Sequence, residues 1–298
     1  MPDFSTQQSV ITSSEMCTRK HIDKKKIIKH TVTHFFLVIL CIIFLLPIFY
    51  MITTSLMSAV ESGQGKFIPT SLHFENYIEV LSPELLTFFK NTIIVVGLNV
   101  IFIPFSALFT AFAFVRCKFV GQNILFTIIL STMMIPAIVC QIPMFVVYVK
   151  IGWLNTLWPL IVPGILGGGA GNIFLARQYM RTIPSTLDEA ATIDGANRFQ
   201  VFFSIFMPLC KPIAMFMMIT TFTGMWNDVV TPMLYLRQES TWTLALGIYN
   251  WFTGPVTGSS APNMRMAIGM YMLVPCAIVF FIFQKQLIDG VQMGAVKG

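Results

Sequence analysis

The sequence predicts an all-α, polytopic membrane protein of about six transmembrane helices, and three observations carry that prediction. Of 298 residues, 55% are hydrophobic and 11% are charged, against about 25% charged in soluble domains. Uncharged apolar stretches recur along the chain, each as long as the roughly 20 residues that a bilayer crossing needs. The basic residues are confined to the ends of those stretches and to the loops between them. With 28 Phe and 19 Met, the chain holds more apolar surface than one soluble core hides, so lipid is the solvent for much of it. This composition excludes a disordered regulator and an ordinary cytosolic enzyme. The net charge of +6 does not form the contiguous patch that a nucleic acid would require.

Residues 1–33 read as a basic cytoplasmic tail, holding Arg19, Lys20, Lys24, Lys25, Lys26 and Lys29, and 34–298 as the transmembrane domain. The first span, 34–56, lacks a small-residue cleavage pattern and is expected to stay as an anchor. The second covers 91–115. The third, 122–149, contains Pro136 and Pro143 and is expected to kink or break. The fourth, 153–176, contains Gly167, Gly168, Gly169 and Gly171, which weaken a helix and let backbones approach closely. The fifth, 210–236, is interrupted only by Asp228, and the sixth covers 266–284. Cys17, Cys41, Cys117, Cys140, Cys210 and Cys276 show no C-x-x-C spacing and read as small hydrophobes.

Orientation follows from the positive-inside rule. With the N-terminus inside, inner segments hold the six tail residues, Arg116, Lys118, Arg177, Arg181, Arg198, Lys211, Lys285 and Lys297, fourteen in all. Outer segments hold five: Lys66, Lys90, Lys150, Arg237 and Arg265. Both termini are therefore expected inside.

The most informative stretch is the inner loop 181–208. After Pro184, Ser185 with Asp188, or Thr186 with Glu189, has capping-box spacing, and the two acids suit the positive end of a helix dipole. Gly195 can supply a left-handed stop. Asn197 with Gln200 caps a second helix, which Pro208 closes. Leu187, Ala190, Ala191 and Asp194 share one face of the first helix. That shallow face suits close approach by another protein, or a linker helix lying on the headgroups.

The string Glu189-Ala190-Ala191-x3-Gly195-x9-Ile205-x-Met207-Pro208 resembles the E-A-A-x3-G-x9-I-x-L-P signature of ABC-importer permeases, with Met207 in place of Leu, a volume-conserving exchange. Asn76-Tyr77, Trp226-Asn227-Asp228, Trp242-Thr243-Leu244 and the terminal Gly290–Gly298 segment are similar to the carbohydrate-uptake, maltose-type branch. The resemblance covers nearly all of the chain after residue 34. It implies that the loop is a coupling helix docking in a cleft of an ATP-hydrolysing subunit, with Glu189 as polar anchor, Ala190 and Ala191 as contact and Gly195 as turn; Asp194 and Pro208 belong to the same unit.

No G-x-x-x-x-G-K-[ST] string occurs, so ATP hydrolysis is expected in separate subunits, which would hold ATP and Mg; no cofactor, metal or catalytic constellation is expected in this chain. His21, His30, His34 and His73 are scattered and read as solvated or interfacial. The polar residues inside spans, Asn99, Gln141, Asn172, Asn227 and Asp228, should face the bundle interior or a watery cavity. They are candidates for the pathway or for helix–helix hydrogen bonds. Trp226 could stack on a sugar ring or act as an interfacial aromatic. The segment 240–264, rich in aromatic and turn residues, is the candidate contact for an extracytoplasmic binding protein, through Tyr249, Trp251 and Pro255.

The resemblance thus implies a sugar-importer permease in a bacterial plasma membrane, half of a heterodimeric pore, working with two ATPase subunits and a solute-binding protein. The same signature also fits importers of peptides, amino acids or anions. A secondary transporter would carry more acids in its spans than Asp228 alone, and an intramembrane enzyme lacks catalytic residues here.

Overall fold

The computed structural model of the chain describes residues 24–253 and 261–295. The described residues contain helices and turns and no strand, and the chain divides at Tyr50 and Met51 into two units. The described part of the first is the body of helix α1 (Lys24–Ser55), whose side chains from Phe35 to Phe49 are exposed. From Lys24 to His34, ahead of the apolar run, the chain is already helical: Lys is a good helix former and neither Pro nor Gly falls in that stretch.

In the second unit, α2 (Ala59–Gly63) starts on a capping box between Ser58 and Glu61 and is followed by α3 (Glu75–Glu79). A buried amide network holds these short elements. Asn76 Nδ2 donates to the carbonyls of Ser55 and Met57, at 2.8 and 2.9 Å. Asn263 Nδ2 donates to Met57 O and Asn76 Oδ1, at 3.1 and 3.2 Å. Asn76, part of the Asn-Tyr pair of the sequence, is thereby a structural tie.

Helix α4 (Pro83–Arg116) has Pro83 in its first turn and Ser82 accepting from Leu85 N–H, an N-cap in standard form. It is the centre of the unit, packing against the helices named below as α7, α8 and α12, and 44% of its most apolar window is buried. Helices α5 (Gln122–Thr132) and α6 (Ala137–Lys150) are bent by 99° at the break between them. Pro136 sits at that break, where it cannot donate to the helix and restricts the residue before it; Pro143 stays inside α6.

The fourth apolar run starts later than 153, with α7 (Trp158–Gly167). Asn155 takes a left-handed turn at φ 57°, and its Oδ1 accepts from Arg237 N–H at 2.7 Å, so the stretch before Trp158 is a tied turn. Gly168 and Gly169, both at positive φ, separate α7 from α8 (Ala170–Met180), which continues beyond the expected end at 176. Then follow α9 (Thr186–Ile193), α10 (Arg198–Val201), a π-helical turn Phe202–Phe206, α11 (Met207–Leu209) and α12 (Lys211–Trp226). The fifth run is not one helix through 236. It stops at Trp226, and α13 (Val230–Tyr235) is a separate short helix. Asp228 Oδ1 accepts from Thr231 N–H at 3.1 Å, starting the new helix, while Pro232 cannot donate backward into the old one. Helix α14 (Leu244–Thr253) and the long α15 (Pro262–Ala295) complete the order. By length and apolarity four helical stretches among the described residues can cross a membrane, in α1, in α4, in α7 with α8 and in α15, or up to six if the bent pairs α5/α6 and α10–α12 are each one span.

Candidate functional site

The loop between α8 and α12 is built by local hydrogen bonds. Helix α9 lacks the expected capping box: Ser185 is helical and makes no side-chain cap. Its carbonyl accepts from the N–H groups of Asp188 and Glu189. The acid that would have closed the box is used elsewhere, since Asp188 is buried with Arg116, Arg116 Nε lying 2.8 Å from Asp188 Oδ2. At the other end of α9, Gly195 N–H donates to Thr192 O and Ala196 N–H to Ala191 O, at 3.1 and 2.9 Å. That pair of bonds around a glycine at φ 83° is a Schellman stop. Asn197 and Gln200 then exchange backbone-to-side-chain bonds of 2.9 and 2.7 Å, a complete capping box for α10. Pro208 lies in the first turn of α11, and the chain turns by 73° into α12.

Within this unit Glu189, Ala190, Asp194, Gly195 and Pro208 are exposed and Ala191 is half-buried. Leu187 and Ile193 are also exposed, Ile193 to 86%, and Ile193 falls outside the i, i+3, i+4, i+7 face that starts at Leu187. Burial pushes the Asp188 carboxyl above the usual carboxylate range, against the pull of Arg116 and Arg198 and with a smaller upward push from Glu189. At Asp188 burial therefore outweighs the attraction of Arg116 and Arg198.

A second feature lies deeper in the unit. A cavity of about 200 Å³ is lined by residues of α4, α7 and the α12–α13 stretch, among them Thr92, Gly164, Asp228 and Thr231, and by Thr243 just ahead of α14. Thr92 Oγ1 is occupied by Leu244 N–H at 2.7 Å, whereas Thr243 Oγ1 is buried without a partner. Thr231 carries no warning in the sequence, because threonine is cheap in a helix, and Thr243, just ahead of α14, stands out there only within the Trp242-Thr243-Leu244 string.

A family described as the binding-protein-dependent transport system inner membrane component matches residues 103–292. The chain belongs to that family. An ABC transporter permease protein (ORF2) of Caldicellulosiruptor sp. is 34% identical over 88% of this chain and 95% of its own length. The galactooligosaccharides transport system permease protein of Bacillus subtilis is 36% identical over 64% of this chain and 66% of its own. Among solved structures, a chain of a bacterial ABC transporter involved in the import of the acidic polysaccharide alginate superposes with a TM-score of 0.79 at 26% identity, covering 88% of this chain and 97% of that one.

In this permease the pathway candidates separate. Asp228 lines the cavity. Asn99 does not: it is fully buried, and its Nδ2 donates to Val95 O and Leu160 O at 2.8 and 2.9 Å, joining α4 to α7. Trp226 is 3% exposed; it donates Nε1–H to Met272 O at 3.1 Å and stacks on Phe222, so no face is left for a sugar in this conformation. Asn172 and Asn227 donate to carbonyls one turn back, Gly168 O and Thr223 O, and Gln141 is half-buried on α6. Of the three candidate contacts for a binding protein, Tyr249 is 44% exposed, Trp251 is half-buried against the Phe88 ring at 5.4 Å, and Pro255 lies outside the described residues.

Proposed function

We propose that this permease is one subunit of an ATP-driven importer of sugars or oligosaccharides. The carrying observation is the Schellman turn at Gly195, open on its outer side, at the end of a helix that exposes Glu189 and Ala190, in a chain of this transport family. In this reading Glu189, Ala190, Ala191, Asp194, Gly195 and Pro208 receive an ATPase subunit; two such subunits bind ATP and Mg and hydrolyse it. A second permease completes the pore as a heterodimer, and an extracytoplasmic protein delivers the cargo past Tyr249, Trp251 and Pro255. Both termini lie inside, in the bacterial plasma membrane, as the fourteen inner basic residues favour. ATP closure moves the coupling loops and rocks the spans between inward- and outward-facing states.

The named cargo of the relatives supports carbohydrate. Asp228 on the cavity wall favours a neutral, hydroxyl-bearing ligand, since a hydroxyl donates to a carboxylate and an anion is repelled by it. The test is uptake of labelled neutral oligosaccharides and of an alginate oligosaccharide by the native host, by a strain lacking this chain, and by one carrying Gly195→Asp. Loss of ATP-dependent uptake of a neutral oligosaccharide in both strains, with the variant present in the membrane at normal level, is the expected result. Unaltered uptake of every saccharide without the chain overturns the carbohydrate reading; normal uptake with Gly195→Asp overturns the coupling loop.

A further inference from the structure

Arg116, the last residue of α4, makes three contacts with the loop that α9 opens. Its Nε lies 2.8 Å from Asp188 Oδ2, with both side chains only 11% exposed. Its Nη2 donates to Ile183 O at 2.6 Å. Its guanidinium carbon sits 4.9 Å from the centre of the Phe206 ring, in the π-helical turn. One side chain thus touches the chain before α9, α9 itself and the turn after α10. Asp188 is also the one buried residue of α9. The Nε–H is not aligned on Asp188 Oδ2, since Arg116 Nε makes no hydrogen bond, so the link is one of charge and packing.

The other end of the connection is α4. It packs against α7, α8 and α12, and it lines the cavity with Thr92, Val95 and Val96. From Arg116 to Val95 a helix reaches roughly 32 Å at 1.5 Å per residue. A buried ion pair contributes little net stability, because desolvation offsets attraction, but its geometry can hold two elements in register. An arginine suits that use, for its one planar group here meets a carboxylate, a carbonyl and a ring face at once.

We propose that Arg116 is a positioning residue that makes α4 the output arm of the coupling loop, so that movement of α9 reaches the cavity wall through the Arg116–Asp188 clasp. The proposal rests on the reading of residues 181–208 as the loop that meets the ATPase. Removal of the clasp then leaves the ATPase bound and the cavity deaf to nucleotide.

The experiment uses the complex isolated from its host membrane through a tag on this chain and placed in lipid nanodiscs. A reporter, Thr231→Cys, is introduced on the cavity wall in a background without native cysteines. Its rate of reaction with a maleimide is measured with and without MgATP and vanadate. With Arg116 present, nucleotide is expected to change the rate by about fivefold or more, the lower end of site-to-site coupling. With Arg116→Ala, or Asp188→Asn, the response should vanish while ATP-hydrolysing subunits co-isolate as before. The exchanged pair Arg116→Asp with Asp188→Arg should regain it in part, which a loss of packing alone would not permit. Should Arg116→Ala fail to accumulate, Arg116→Lys decides the same point: it keeps the charge and gives up the fork, and its response should be weakened. A full response in Arg116→Ala or in Arg116→Lys, or loss of the co-isolated ATPase in Arg116→Ala, overturns the proposal. Gly195→Asp is the control. If it loses the response while Arg116→Ala keeps it, the loop reading stands and only the clasp falls; if both keep it, both fall.

Discussion

Gly168 turns at φ 63° directly against the backbone of Ala107: a Cβ there would lie 2.6 Å from the Ala107 nitrogen and 2.9 Å from its Cα. Backbone cannot swing aside as a side chain can, so α7 and α8 meet α4 at this point only because residue 168 has no side chain. Gly168→Ala is expected to cost about 2–5 kcal/mol, from the left-handed conformation and from overpacking together, and to lower the thermal unfolding midpoint and membrane yield. Gly195 has a similar φ, 83°, but nothing within 4 Å of its Cβ position. Gly195→Ala therefore costs the conformational part alone, about 1–2 kcal/mol. A scanning calorimetry or thermal aggregation series that ranked Gly195→Ala the more damaging would contradict this reading.

How far these features could be read from sequence depends on how local their causes are. The break at Pro136, the stop at Gly195 and the Asn197–Gln200 box follow from residues within one turn of each other. The capping box expected at Ser185 does not form because Asp188 has a partner in α4, Arg116, and no pattern in the loop announces it. The pathway residues were the least legible. A helix that is apolar on every side gives no periodicity to say which face looks inward, so Asn99, tied to Leu160 O, and Asp228, on the cavity wall, looked alike. At the end of α12 the length of the apolar run masked a local signal: Asn227, Asp228 and Pro232 follow Trp226 closely, and Thr231 N–H donates to Asp228 Oδ1 to start the new helix.

Trp226 is expected to behave as a packing residue. Trp226→Phe removes the N–H donated to Met272 O and keeps an aromatic ring beside Phe222 and Phe89. The loss should be about 1–2 kcal/mol, with the Met272 carbonyl still inside a helix and able to find a backbone donor. Transport by the folded fraction should keep its apparent affinity for cargo. A large rise in KM with an unchanged melting midpoint would return Trp226 to the ligand path.

Asp188 gives a prediction with a defined sign. Burial raises its carboxyl above the ordinary value, so the folded protein holds that proton more tightly than the unfolded chain, where it leaves near about pH 3.9. Stability contributed by this site therefore falls as pH rises from the unfolded value through the folded one, and is flat beyond. Asp188→Asn cannot titrate. The wild-type midpoint minus that of Asp188→Asn should decline with pH over that interval; a difference that climbs would mean that the Arg116 charge outweighs burial.

The orientation can be checked at two exposed positions. Val120 is fully exposed in the turn between α4 and α5, a segment that the basic residues Arg116 and Lys118 place inside. Lys66 is exposed in the stretch between α2 and α3, which the same rule places outside, since fourteen basic residues against five favour this arrangement. Lys66 precedes the start of α4 at Pro83 and Val120 follows its end at Arg116; the 34 residues of the helix span roughly 51 Å at 1.5 Å per residue, more than the approximately 30 Å of the hydrocarbon core. The two positions must therefore emerge on different sides if α4 crosses once. In right-side-out vesicles without native cysteines, an impermeant maleimide should label Lys66→Cys and spare Val120→Cys until the membrane is opened by detergent. The reverse pattern would invert the topology and put loop 181–208 outside, where no ATPase could reach it. Labelling of both from outside would mean that α4 does not cross, although it is the most buried of the long apolar helices.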